Sequence, residues 1–130
     1  MGAAAVTELG RQRKILIIDD QPTLTKAIRR MLTEHDVTEV ASARAAIALF
    51  ESGERYDVIL TDLIMPEMGG IELHAALGRI APDQVGKMVF MTGGAFTDHA
   101  KRFFARIDNP TIEKPFDRAQ LVAMIERVLT

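Results

Sequence analysis

Four polar clusters in this chain each close a short apolar run: Asp19-Asp20 after KILII, Thr61-Asp62 after VIL, Thr92-Gly93-Gly94 after KMVFM and Lys114-Pro115 after TIE. Three carboxylates brought together repel and raise one another's pKa unless a cation joins them. Oxygen-only ligands of this kind suit Mg²⁺, which keeps several waters and takes one or two carboxylates plus a phosphate oxygen. Thr92 and Lys114 add a hydroxyl and a cation opposite the acids. Such a set fits a phosphoryl group, whose equatorial oxygens need donors and countercharge during transfer. No other nucleophile is on offer among these clusters, so Asp62 takes that role and the product is an acyl phosphate. The competing reading is a structural ion pair between Lys114 and one acid. It explains neither the doubled acid at 19 and 20 nor the Thr-Gly-Gly exit.

This chemistry needs the runs to be parallel strands, whose carboxyl ends share one rim. Val58, Ile59 and Leu60 form an unbroken apolar run, as expected of a strand covered on both faces. Asp62 then falls at the strand's carboxyl end, where open α/β sheets bind their ligands. Pro66 and Gly69-Gly70 follow before the next helical pattern. Residues 14–18 and 87–91 read as two more such strands, with shorter ones at 37–41 and 111–113.

Helical periodicity fills the intervals. Pro22 suits a first turn, and Leu24, Ala27, Ile28, Met31 and Leu32 recur on one face. Ser42 is an N-cap for an Ala-rich helix with Ala46, Leu49 and Phe50 inward and Gly53 as its stop. Leu73, Ala76, Leu77 and Ile80 define a third helix, closed by a loop at Pro82. Thr97 caps a fourth with Ala100, Phe103, Phe104 and Ile107 on its buried stripe, before Asn109-Pro110. Asp117 and Gln120 form a capping box for a last helix carrying Leu121, Met124, Ile125, Val128 and Leu129. Five strands alternating with five helices predict an α/β fold, a doubly wound parallel sheet with right-handed crossovers.

Length and composition bound the rest. At 130 residues the chain makes one domain, with residues 1–13 as a leader or linker and 14–130 as the folded unit. The absence of Cys excludes disulfides and thiolate metal sites. A formal charge of -2 gives no electrostatic footprint for nucleic acid or an anionic membrane, so a protein partner is expected. No apolar run approaches the roughly 18 residues of a membrane span, and residues 1–13 lack a signal-peptide core. Val6 stands where a myristoylation motif wants Ser or Thr.

The joint pattern IIDDQP (17–22), TDLIMPEMGG (61–70), MTGG (91–94) and EKPF (113–116) resembles the receiver domain of two-component response regulators in order and spacing, over about residues 14–130. The resemblance implies a flavodoxin-like (βα)5 fold with strand order 2-1-3-4-5. It implies that Asp62 takes a phosphoryl group from the phosphohistidine of a histidine kinase or its phosphotransfer domain. Asp19, Asp20, Asp62 and the backbone carbonyl of Ile64 would surround Mg²⁺, with Thr92 and Lys114 on the phosphoryl oxygens and a cis Lys114-Pro115 bond. A cytoplasmic monomer or weak dimer is expected, either a stand-alone receiver or the C-terminal receiver of a hybrid histidine kinase. It would catalyse only its own phosphorylation and dephosphorylation, with no DNA-binding effector following the last helix.

One departure bears on output. Thr111 stands where many receivers carry an aromatic switch residue, three positions before the lysine. A ring rotamer there cannot report phosphorylation, and the Thr92 hydroxyl acting on the Gly93-Gly94 loop is the remaining route. Ile64 and Gly94 cannot aim a hydrolytic water, so a long-lived acyl phosphate is expected. A haloacid-dehalogenase-type phosphatase also uses a strand-end Asp with Mg²⁺, but needs an acid two residues on, where Ile64 stands. A flavodoxin-like cofactor module is disfavoured by the acids. His35, His74 and His99 are expected on exposed helix surface, as are Arg29, Arg30, Lys101, Arg102 and Arg106. Phe103 and Phe104, adjacent on one helix, cannot both face the core squarely.

Overall fold

The computed structural model describes residues 12–130. Of the expected leader, residues 1–11 lie outside the described part. The remainder already joins the fold at Arg13, whose carbonyl accepts from the Asp36 N–H at 2.9 Å.

Five strands form one sheet, β1 (Lys14–Ile18), β2 (Asp36–Val40), β3 (Val58–Asp62), β4 (Met88–Thr92) and β5 (Thr111–Glu113), in the order β2-β1-β3-β4-β5. All four pairings are parallel, with Ile18 beside Thr61, Asp62 beside Met91 and Thr92 beside Glu113. Four helices cross between successive strands, α1 (Pro22–Met31), α2 (Ala43–Glu51), α3 (Gly70–Ile80) and α4 (Asp98–Phe104), and α5 (Arg118–Leu129) follows β5. This is the doubly wound α/β sheet that the alternating patterns predict.

Strand residues divide by parity between two cores. Leu16, Ile18, Ile59, Met88 and Phe90 pack beneath α2, α3 and α4 with Phe50, Leu73, Leu77 and Phe103. Ile15, Ile17, Val58, Leu60, Val89 and Met91 pack beneath α1 and α5 with Ile28, Leu32, Leu121 and Ile125. Burial of each such side chain contributes about 1.5–3 kcal/mol. That is why β1, β3 and β4 read as continuous apolar runs.

The helix starts follow their caps. Ser42 Oγ accepts from the Ala45 N–H and Thr97 Oγ1 from the Ala100 N–H, each at 3.1 Å. Asp117 and Gln120 satisfy one another's N–H groups at 2.8 and 2.9 Å. Gly53, at φ +98°, ends α2 in the left-handed region that favours glycine.

Several boundaries differ from expectation. β2 starts and ends one residue early, and β4 runs one residue later to include Thr92. The Pro82 segment is a 3-10 turn over Pro82–Lys87, held partly by Gln84, whose buried Oε1 accepts from the Tyr56 N–H at 2.6 Å. α4 stops at Phe104, so Ile107 packs on the core from the connection to β5 and not from the helix.

Two of the three histidines are not on exposed helix. His35 lies just before β2, half-buried, its Nδ1 accepting from the Arg13 N–H at 3.1 Å. His74 sits on α3 with its ring against those of Phe90 and Phe103 and its Nε2 shielded from solvent. Only His99 is exposed as expected. Helical spacing could not separate them, because His35 lies off the helix and His74 at the margin of the α3 apolar stripe.

Candidate functional site

The carboxyl ends of β1, β3 and β5 bring Asp19, Asp20, Asp62 and Lys114 together. One carboxylate oxygen from each acid lies within 4.8 Å of the other two. The Lys114 Nζ stands between two of them, 3.2 Å from Asp19 Oδ2 and 3.4 Å from Asp62 Oδ2. Asp19 is 1 % exposed, and its other oxygen, Oδ1, accepts from the Gln21 N–H at 2.8 Å. Asp20 faces solvent, and Asp62 is half-buried between them.

Burial raises the Asp62 pKa above the ordinary carboxylate value, and the Asp19 charge adds to that. The Lys114 ammonium and the Ile64 backbone N–H oppose it without cancelling it. Burial is the larger cause of that rise, and three carboxylates share one ammonium here, so the pocket can accept further positive charge. Hard oxygen donors at this separation, one of them open to water, match the ligands Mg²⁺ takes. The arrangement therefore fits a divalent cation.

Thr92 is buried at the end of β4, one step beyond the partner of Asp62 in the ladder. Its carbonyl accepts from the Lys114 N–H at 2.7 Å, fixing the start of the lysine loop. The Lys114-Pro115 bond is cis.

The β3–α3 connection is shaped by close approach. The Gly70 N–H donates to the Leu63 carbonyl at 2.9 Å. A Cβ on Gly69 would stand 2.5 Å from the Leu63 carbonyl oxygen, and one on Gly70 would stand 2.9 Å from that of Asp62. The glycine pair thus lets α3 begin against the backbone that carries Asp62. Between Asp62 and that pair, Glu67 adopts φ 68°, left-handed backbone at a residue that is not glycine. Ile64, two residues after Asp62, is 72 % exposed. Its neighbours Leu63 and Met65 are buried.

Two features beside the rim were not visible in the sequence pattern. A groove of about 290 Å³ runs between the β3–α3 and β4–α4 connections, lined by Ile64, Met65, Phe96, His99 and Ala100 among others. The Glu113 carboxylate also lies against Gly94, which adopts φ +99° and leaves no room for a Cβ under that side chain. The Thr-Gly-Gly wording marks the loop, but nothing in it announces the acid that covers it.

Comparison with known proteins agrees with this geometry. The response regulator receiver domain family matches residues 15–126. The response regulator receiver protein CpdR of Brucella abortus is 31 % identical over 119 residues, covering 90 % of this chain and 97 % of that protein. The transcriptional regulatory protein TcrA of Mycobacterium tuberculosis is 34 % identical over 116 residues, 86 % of this chain but 44 % of that longer protein. This chain therefore spans less than half of TcrA. Among solved structures, the receiver domain of a Pseudomonas aeruginosa sensor histidine kinase superposes with a TM-score of 0.77 at 25 % identity, covering 91 % of this chain and 98 % of that one. That structure has a magnesium ion coordinated in its active-site cleft. With the strand order, the acid cluster and a family match over nearly the whole described length in agreement, this chain belongs to the response regulator receiver domains of two-component signalling.

Proposed function

We propose that this receiver takes a phosphoryl group from a phosphohistidine onto Asp62. The observation that carries the reading is the Lys114 ammonium bridging Asp19 and Asp62, with a third carboxylate within 4.8 Å. An Asp62 oxygen attacks phosphorus as the P–N bond to the donor imidazole breaks. The bonding pair stays on the imidazole nitrogen, and the product is an acyl phosphate. Lys114 is placed to meet the phosphoryl oxygens from one side, and Thr92 supplies a hydroxyl from the end of β4. Asp19, Asp20, Asp62 and the Ile64 carbonyl would hold Mg²⁺. That ion, when bound, supplies divalent countercharge to the acids and the transferring group.

Without a bound cation, burial keeps the Asp62 pKa above that of an ordinary aspartate, and a divalent cation beside it would favour the nucleophilic carboxylate. The exposed Ile64 side chain and the Cβ-less Gly94 offer no polar group to orient a water, which favours a slowly hydrolysed product. The chain acts on itself in this reading and turns over no outside substrate. The partner is a histidine kinase or its phosphotransfer domain, in the cytoplasm, with the receiver a monomer or weak dimer. Likeness to the receiver of a sensor histidine kinase supports descent from a hybrid kinase, whereas likeness to the response regulator receiver protein CpdR supports a stand-alone receiver. No helix among the described residues is long and apolar enough to cross a membrane.

Incubation with Mg²⁺ and acetyl phosphate, followed by intact mass measurement, tests the assignment. The wild type is expected to gain one phosphoryl group and Asp62→Asn none. Equal labelling of both would end the assignment to Asp62.

A further inference from the structure

Between Thr92 and α4 the chain has one apolar point of attachment, its other contact being the exposed Glu113 carboxylate against Gly94. Residues 93–95 and Thr97 are exposed, and Phe96 alone is half-buried. Among the described residues, no loop hydrogen bond between main-chain groups involves residues 93–96. The Phe96 ring lies 5.1 Å from that of Phe104. Phe104 in turn meets Phe90 at 5.6 Å and Phe103 at 5.2 Å. One ring therefore seats the whole loop on the aromatic layer that holds α4.

The same ring has somewhere to go. Phe96 borders the groove of about 290 Å³ beside Ile64 and Met65. Only Gly93, Gly94 and Ala95 separate it from Thr92, and Gly94 turns at φ +99°. On the neighbouring strand, Thr111 carries no ring that could couple the site to α4.

We propose that Phe96 is the moving part through which a phosphoryl group on Asp62 reaches α4. The added charge of about -1.5 to -2 draws the Thr92 hydroxyl towards the acid rim. The short Gly-Gly-Ala segment transmits that pull, Phe96 leaves Phe104 for the groove beside Ile64, and α4 reseats on the contacts that remain. This rests on Asp62 being the phosphoacceptor. It adds the residue that replaces a ring on β5.

The chain contains no tryptophan, so Phe96→Trp makes a single emission reporter. Beryllofluoride with Mg²⁺ serves as the phosphoryl mimic, and backbone amide shifts at Asp62 and Thr92 report its arrival independently. The expected result is a shift of the indole emission on addition of the mimic, absent when Asp62→Asn is combined with Phe96→Trp. In Phe96→Ala the mimic should still move the Asp62 and Thr92 amides, while the responses of Ala100 and Phe103 are lost. Site amides that respond while the indole stays silent, or α4 responses that survive in Phe96→Ala, would overturn the lever and leave the Asp62 assignment standing. Site amides that do not respond would remove both. The emission measurement decides by itself if the alanine variant folds poorly.

Discussion

The acid rim and the aromatic layer under α4 lie one strand-end apart and are built on opposite physical terms. At the rim, like charges meet in partial burial, and the raised Asp62 pKa is the mark of a group the fold holds at a cost. In the layer, Phe90, Phe103, Phe104 and Phe96 meet at 5.1–5.6 Å, three of the four contacts edge to face. Such pairs contribute about 0.5–1.5 kcal/mol each beyond their burial. The stable layer supports the charged site, and the β4–α4 loop joins the two.

The contrast breaks most plainly at Phe90, which has no solvent exposure and meets both Phe103 and Phe104. Phe90→Ala is expected to cost about 3–5 kcal/mol of folding stability, read as a lowered urea midpoint at unchanged slope. A loss under about 1 kcal/mol, the size of a well-tolerated repacking, would mean that the layer does not carry the stability assigned to it.

At the rim the sign should reverse. The folded state binds the Asp62 proton more tightly than the unfolded chain does. The Asp62 contribution to stability is therefore greatest below the unfolded carboxylate value and declines as pH climbs through the raised folded value. At neutral pH without metal, Asp62→Asn should then be more stable than the wild type. A rise of about 3–5 °C in Tm corresponds to ~1 kcal/mol in a chain of this length. The difference should close as pH falls into the ordinary carboxylate range. Mg²⁺ at about ten times its Kd should add ~1.4 kcal/mol to the wild type, and less to Asp62→Asn. A destabilised Asp62→Asn variant would show that Lys114 already compensates the acids in full.

How much of each region the sequence disclosed follows from the same difference. Parallel strand ends share a rim, so Asp19, Asp20, Asp62 and Lys114 could be gathered from run boundaries alone, and the structure brings them together. Thr92 was placed at a strand end for the same reason, although the strand proved to lie one residue later than the 87–91 run. The layer was only half legible. Periodicity put Phe103 and Phe104 on one buried stripe that could not seat both squarely, and of the two Phe103 is buried and Phe104 half-buried. It gave no sign of Phe96, because a loop residue has no period. Nor could it reveal the Glu113 carboxylate over Gly94, which depends on the spacing between β4 and β5. Ile107 was assigned to a helix that ends three residues earlier, since its burial comes from the connection to β5.

His74 offers the finest test, since it couples charge to the apolar layer. Burial lowers its pKa, the nearby Asn109 opposes that, and Arg106 lowers it further. Its Nε2 is shielded without a hydrogen-bond partner, and the Asn109 amide nitrogen is occupied by the Val85 and Met88 carbonyls. A depressed folded value means that the unfolded chain takes up the proton first. The His74 contribution is thus fully present above about pH 6.5, the unfolded value, and falls as pH drops from there towards the folded one. His35, also lowered by burial, acts in the same direction, whereas Asp62 acts in the opposite one. The His74 share is isolated by comparing urea midpoints of the wild type and His74→Phe between about pH 7.5 and 5.5, a window chosen around the unfolded value. The wild type should lose ground relative to the variant as pH falls. Parallel curves would place the imidazole in water, and the layer would then carry no titrating group.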